Sequence, residues 1–276
     1  MVDDHIKSGL PCTVAGIRQP IERSSSFGER EQDGGTGRRF LEKPDTCEGL
    51  PDDPTKFLAS MGNYVFTTKD LVAALQADAQ NEESKHDMGG DIVPYFVEHG
   101  GVNCYDFIKN QVPGATDRDR DYWRDVGTID AFYDAHQDLL SVSPVFNLYN
   151  YEWPTFTKLD AWLPPAKSTF NDASRRGEAL DSIVSPGVII SGALVERSML
   201  SPMVHLHSYS HVDGSVLMHG VDIERSAVIH NAILDKNVRV GPGVQIGVDH
   251  VRDRERGFIV SEGGITVVPK GTVVNE

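Results

Sequence analysis

The chain has 276 residues, 39% of them apolar, with 26 Lys and Arg against 41 Asp and Glu for a net charge of −15. The length suggests two domains with cores of their own, and the apolar share excludes a fully disordered chain. The acidity argues against broad nucleic-acid binding but leaves room for a local phosphate pocket.

No apolar run approaches the ~18 residues needed to cross a bilayer. The opening MVDDHIKSGL lacks the apolar stretch of a secretory signal. Cys12, Cys47 and Cys104 make neither a disulfide framework nor a zinc pattern, so a reducing cytoplasm with idle thiols is expected.

From Met1 to Leu148 the pattern is mixed α/β. Thr13–Ile17 and Met61–Phe66 read as short strands. Thr67 with Asp70 three residues on is a capping-box signal, with Leu71, Val72 and Leu75 on the inward face of the helix that follows. Ile92, Val93, Phe96 and Val97 repeat the helical spacing, with Pro94 as an irregularity. Thr128 caps a third helix, with Ile129, Phe132, Tyr133, Leu139 and Leu140 facing inward. Residues 149–181 read as a linker, partly packed because Trp153, Phe156 and Trp162 call for burial.

Residues 182–276 read as a repeat followed by a C-terminal tail. Ile183, Val188, Ala193, Met199, Val204, Tyr209, Val216, Val221, Ala227, Ile233, Val238 and Val244 follow one another at steps of five to seven residues. Small or turn-forming residues lie between them. A triangular coil explains the period: each face takes about six residues, one small apolar side chain per face points into the shaft, and neighbouring coils bury one another. Twelve such positions, three to a coil, make about four coils of a parallel β-helix. A β-sandwich would instead show longer strands of strict alternation.

Possible chemistry lies mostly in the first half. Phe40-Leu41-Glu42-Lys43-Pro44 sets an acid beside a base, and on an extended segment the two face opposite ways. Ser60 to Phe66 follows. Asp125, in Tyr122-Trp123-Arg124-Asp125-Val126-Gly127-Thr128, stands just before a helix, either as a helix-start charge or as a Mg²⁺ ligand. Gly34-Gly35-Thr36-Gly37-Arg38 has the composition of a phosphate loop. It lacks the buried strand before and the helix after that such a loop needs, so it reads as a hairpin tip.

The order FLEKP, SMGNYVF, HDMGGDIVP, YWRDVGTIDAFYDAHQDL and LPPAK, followed by hexapeptide coils, resembles the glucose-1-phosphate adenylyltransferase (ADP-glucose pyrophosphorylase) family, in its bacterial glycogen branch. The resemblance covers nearly the whole chain. It implies a Rossmann-like nucleotidyltransferase domain followed by a left-handed β-helix, and formation of ADP-glucose and diphosphate from ATP and glucose 1-phosphate. By the same resemblance Lys43 holds the sugar phosphate, Glu42 and Ser60 contact the sugar, and Gly28 lets the backbone approach it. Asp125 is one of two aspartates holding Mg²⁺. Catalysis would rest on Lys43 and Asp125. A cytoplasmic homotetramer responding to a phosphorylated-metabolite effector is also implied, with no nucleic-acid or membrane partner.

Two departures follow from the same comparison. The family opens with a glycine-rich nucleotide loop and a further metal aspartate, both ahead of the segment that Met1–His5 matches. The expectation is a fragment, inactive alone, whose half-built sheet exposes apolar edges. Where the family has an apolar-alternating strand after Gly28, the charged run Glu29–Arg39 weakens strand formation.

Other functions weighed are a non-catalytic regulatory or assembly subunit and a hexapeptide acyltransferase. In the first, Arg252, Arg254 and Arg256 would meet an anionic effector, or simply line a solvated loop. In the second, one of His205, His207, His211, His219 or His230 would be the general base, where outward polar positions serve equally well.

Overall fold

The computed structural model describes residues 1–22, 49–99, 101–157, 162–172 and 174–276, and the backbone of 29–33 and 36–41. It divides into two compact units, Met1–Trp123 and Arg124–Glu276. Each is taken by itself.

The first unit begins with α1 (Val2–Ser8), which stops at Gly9 with φ of 65°. Five strands follow: β1 (Cys12–Pro20), β2 (Glu29–Asp33), β3 (Thr36–Leu41), β4 (Lys56–Phe66) and β5 (Val102–Asp106). They pair in the order β1-β4-β2-β3-β5, and β5 closes the ring by running parallel to β1 and antiparallel to β3. The expected open edge is therefore corrected: the two ends of the sheet pair with each other, which satisfies backbone groups that would otherwise face water or a partner. The charged run after Gly28 also makes strands, as the antiparallel hairpin β2–β3. Cross-strand pairing outweighs its poor strand composition. Gly34 and Gly35, read as the hairpin tip, lie outside the described residues.

Two helices cover this sheet. In α2 (Thr68–Asp78) Ala74 is buried and Leu71 packs beside it, whereas Val72 and Leu75, expected inward, are exposed. The small Ala74 allows close approach, which turns the buried face of the helix by one position. Thr67 precedes α2 but makes no side-chain cap bond. Its Oγ1 lies 3.4 Å from Nε2 of buried His5, whose Nδ1 is 2.8 Å from Thr13 Oγ1. A tertiary partner has displaced the local cap. Before α3 (Val93–His99) the chain makes a π turn over Met88–Ile92, started by Asp87, which accepts from the Gly90 N–H at 2.6 Å. Pro94 then sits in the first turn of α3, where its missing N–H costs least. Phe66 and Phe96 meet at 5.4 Å between ring centres, and Cys12 is buried in the same cluster. Cys12 and Cys104 are both buried, and Cys47 lies outside the described residues.

The second unit is a parallel β-helix of the left-handed hexapeptide class. Its three faces carry six, six and five strands, so the coils exceed the four expected. The ladder begins at Lys167–Thr169, which pairs with Ile189–Ser191, ahead of the start at 182 read from the repeat. Residues of positive φ recur at the corners in three columns, one holding Asp181, Arg197, Gly214 and Asn231, with φ of 47°, 46°, 55° and 44°. A buried serine ladder lines one corner: Ser198 Oγ accepts from the Ser215 N–H at 2.9 Å, and Ser215 Oγ from the Ala232 N–H at 3.1 Å.

The shaft differs from the expected one-residue-per-face filling. Pairs such as Val188 with Ile190, Val204 with Leu206 and Val221 with Ile223 all point in. On the third face Leu200, Leu217 and Leu234 fill the shaft instead, which sends Met199, Val216 and Ile233 outward in register. α4 (Ile129–Leu140) covers the last two: Ile129, Phe132 and Tyr133 pack against Val216, Ile233 and Ile265. Val216 and Ile233 were therefore correctly expected to be buried, but under a helix rather than within the shaft. Tyr209 sits at a corner with φ of 66° and is exposed.

The packing places α4 with the coils, although its sequence lies in the stretch read as the first domain. Tyr133 anchors it by donating to the Gly214 carbonyl at 2.5 Å, and Asp130 accepts from Ser261 Oγ at 2.5 Å. Burial, then Asp213, raises the Tyr133 phenol above its usual range. Tyr133→Phe is expected to cost about 1 kcal/mol. It should appear as a lower urea midpoint, and an unchanged midpoint would mean that the Tyr133 hydroxyl does not help to hold α4. Residues 142–157 contain only turns and bends, and Tyr151, Trp153, Phe156 and Trp162 are exposed. The expected burial of Trp153, Phe156 and Trp162 is corrected: no helix or strand passes through that stretch to give the aromatics a layer to pack in.

Candidate active site

Lys43, Glu42 and Gly28 lie outside the described residues. Ser60 is on β4, whose Phe57, Leu58 and Ala59 are buried and anchor the strand. Its hydroxyl accepts from the Gly62 N–H at 3.3 Å, a local turn at a residue with φ of 69°. Across the sheet Ser60 pairs with Gly16, which pairs on its other side with Asp106 at the end of β5. β1 bulges between Val14 and Gly16.

An ion network beside this position was not anticipated from sequence. Arg18 donates to Asp106 Oδ2 through Nε at 3.1 Å and NH2 at 2.7 Å, and NH2 also meets Asp52 Oδ2 at 2.8 Å. Asp106 is buried and also caps the turn at Ile108. The hydrogen bonds that Arg18 donates to Asp106 lead in holding the guanidinium even more firmly protonated than usual, and Arg18 holds the Asp52 carboxyl below the ordinary range. The only available signal was an arginine inside a buried strand, which by itself names no partner.

The YWRDVGT motif spans the division between the units. Trp123 packs with the Ile17, Phe57 and Ala59 cluster, and Thr128 caps α4 by accepting from the Ala131 N–H at 3.1 Å. Asp125, between them, is exposed, and its Oδ1 accepts from the Gly127 N–H at 3.1 Å. Thr128 thus does the capping of the helix, and Asp125 is left as a turn-forming carboxylate that still faces solvent. Ser60 and Asp125 fall in different units.

The coil histidines largely face carboxylates. His207 Nε2 is 2.9 Å from Asp222 Oδ1, His211 Nε2 is 2.9 Å from Glu196 Oε2, and His230 Nδ1 is 3.3 Å from Asp213 Oδ2. Burial, then the neighbouring His207, pulls the His205 imidazole below its usual range. His219 is exposed. Of the three arginines near the chain end, Arg256 is structural: its NH1 donates to the Gln245 carbonyl at 2.7 Å. The neighbouring Asp253 is buried and ties the helix α5 (His250–Glu255) to Gly247 and Thr266. Arg252 and Arg254 remain exposed.

Comparison with known proteins matches two family models to the chain. The family described as nucleotidyl transferase matches residues 1–142, and the family described as GlmU-like, C-terminal hexapeptide matches residues 164–268. Over 279 residues the chain is 54% identical to glucose-1-phosphate adenylyltransferase of Bifidobacterium adolescentis, covering 100% of this chain and 67% of the relative. It is also 54% identical to the enzyme of that name from Arthrobacter sp., covering 60% of it, and to that from Parafrankia sp., covering 67%. The chain belongs to the glucose-1-phosphate adenylyltransferase family. It spans three fifths to two thirds of the length of these members. Family membership accounts for the nucleotidyl transferase and hexapeptide parts together, which the acyltransferase alternative does not. Among the described residues no helix is long and apolar enough to cross a membrane.

Proposed function

We propose that the chain takes part in forming ADP-glucose and diphosphate from ATP and glucose 1-phosphate, in glycogen synthesis. The observation that carries this is the 54% identity, running through both the nucleotidyl transferase and hexapeptide parts, to relatives named for that activity. In the reaction an oxygen of the sugar phosphate attacks the α-phosphorus of ATP, and the bond to the bridging oxygen of the β-phosphate breaks. Such a transfer needs positioning and charge neutralisation rather than covalent help.

Each residue has a matching part. The Lys43 ammonium holds the phosphate of glucose 1-phosphate as a point charge. Glu42 and Ser60 hydrogen-bond the sugar hydroxyls, and Gly28 permits close backbone approach. Asp125 contributes a carboxylate to Mg²⁺, an ion commonly held by one or two carboxylates together with substrate phosphates. When bound, Mg²⁺ neutralises charge on the phosphates. The carboxylate of Asp125, which faces solvent and accepts from the Gly127 N–H within its own turn, suits that use. Arg252 and Arg254 are the exposed cations offered to a phosphorylated effector, and the working form is a cytoplasmic homotetramer.

The test is ADP-glucose formation from ATP, glucose 1-phosphate and Mg²⁺, with this chain and with a form lengthened to the span of its relatives. Product in the lengthened form is expected. No product from either, with both folded, would overturn the assignment. Product from the short form alone would move the nucleotide site to residues within this chain, Gly34 to Arg38 first.

A further inference from the structure

One outer face of the coils carries two pairs of chelating side chains in register. In the strand His205–Leu206, Leu206 fills the shaft, so strand alternation sends His205 and His207 outward. One coil later Ile223 takes the inner place, and Asp222 and Glu224 flank it. The parallel ladder pairs His205 with Asp222 and Leu206 with Ile223, and the His207 N–H continues it by donating to the Ile223 carbonyl at 2.9 Å. His-Leu-His thus lies over Asp-Ile-Glu.

The side chains converge. The rings of His205 and His207 stand 4.0 Å apart. His207 Nε2 is 2.9 Å from Asp222 Oδ1, and its Nδ1 is 3.9 Å from Glu224 Oε2. One donor atom from each of His205, His207 and Asp222 lies within 4.8 Å of the other two, the sole such group of three among the described residues.

We propose that His205, His207 and Asp222 form a surface site for a divalent transition-metal ion of the zinc class, with Glu224 in reach as a further ligand. Two imidazole nitrogens and a carboxylate are a donor set that Zn²⁺, Ni²⁺ or Co²⁺ favours, whereas Mg²⁺ and Ca²⁺ prefer oxygen alone. Ligands at about 2.0–2.1 Å from one ion stand no more than about 4.2 Å apart. A modest turn of the His205 ring or the Asp222 carboxylate closes the site, while the ladder holds the backbone still. Because the ligands come from successive coils, the ion would staple them together.

The experiment is calorimetric titration of the purified chain with Zn²⁺, with Co²⁺ binding followed in parallel by visible absorption. One ion per chain is expected, with a ligand-field spectrum for Co²⁺ and a rise in thermal midpoint on Zn²⁺ addition. His205→Ala and Asp222→Ala should each weaken binding at least about tenfold. His211→Ala, which alters an imidazole on another face beside Glu196, should leave it unchanged. Circular dichroism checks folding, and His205→Gln carries the test if the alanine variant unfolds. Absence of stoichiometric binding, or equal affinity in wild type and the His205 variants, would overturn the proposal and leave only a hydrogen-bonded His–Asp pair.

Discussion

Asp125→Asn is expected to reduce ADP-glucose formation by about 10²–10³-fold in whichever form of the chain makes product, the scale of losing one preorganised charge partner of a transition state. The substitution is chosen for what it keeps. Asp125 Oδ1 accepts from the Gly127 N–H at 3.1 Å, and the Asn amide oxygen can accept that bond in the same place. The turn into α4 is therefore retained, because Thr128 rather than Asp125 caps the helix. What is lost is the negative charge. Steady-state rates against Mg²⁺ concentration, with urea midpoints beside them, separate the possibilities. A lower kcat with an unchanged midpoint assigns the carboxylate to charge neutralisation. An unchanged kcat would reduce Asp125 to a turn former and remove Mg²⁺ binding from its role.

Gly247→Ala should be the most damaging single methyl in the coils. Gly247 has φ of 77°, and a Cβ built there would lie 1.7 Å from the carbonyl oxygen of His230 on the preceding coil. That atom is backbone, so it moves only if the ladder between Val228–His230 and Gln245–Ile246 moves with it. The same residue donates its N–H to buried Asp253 at 2.8 Å, and Asp253 also accepts from Thr266 Oγ1 at 3.0 Å. A shift at Gly247 therefore strains the anchor of α5 as well. A loss of roughly 3–5 kcal/mol is expected, in the range reserved for steric and buried-polar damage. Gly243→Ala is the control: its φ is 71°, but nothing lies within 4 Å of the added methyl. It should lose only the conformational cost of about 1–2 kcal/mol. Urea unfolding of the two variants measures the difference, and equal losses would show that the contact with His230 is not the cause.

Much of the β-helix was legible because its period is local. Each coil needs small apolar residues at short fixed steps, and Val188, Val204, Val221 and Val238 announce them. What the period could not say is which side of the strand faces in. Val216 and Ile233 continue the same count as the shaft valines, yet they point outward beneath α4, because Leu217 and Leu234 beside them take the inner places. Only a helix distant in sequence makes that choice sensible. Strand composition misled in the same way at Glu29–Asp33, where charged residues form β2 because pairing partners are supplied by β3 and β4.

The proposed site residues came from a different kind of signal. Ser60, Asp125, Lys43, Glu42 and Gly28 came from the resemblance of short motifs, and the family membership those motifs implied is the one the relatives show. The Arg18–Asp106 pair and the His205–His207–Asp222 group carried no such motif. Their members are ordinary residues, brought together by strands adjacent in space rather than in sequence.

The sequence by itself determined the family and the α/β part followed by hexapeptide coils. These rest on local order and spacing, which the chain carries without folding. Tertiary structure decided the closure of the five-stranded sheet, the seating of α4 on the coils, and the side chains gathered across successive rungs. Those depend on non-local pairing, where the energy lies in which surfaces meet, and no local pattern encodes the partner.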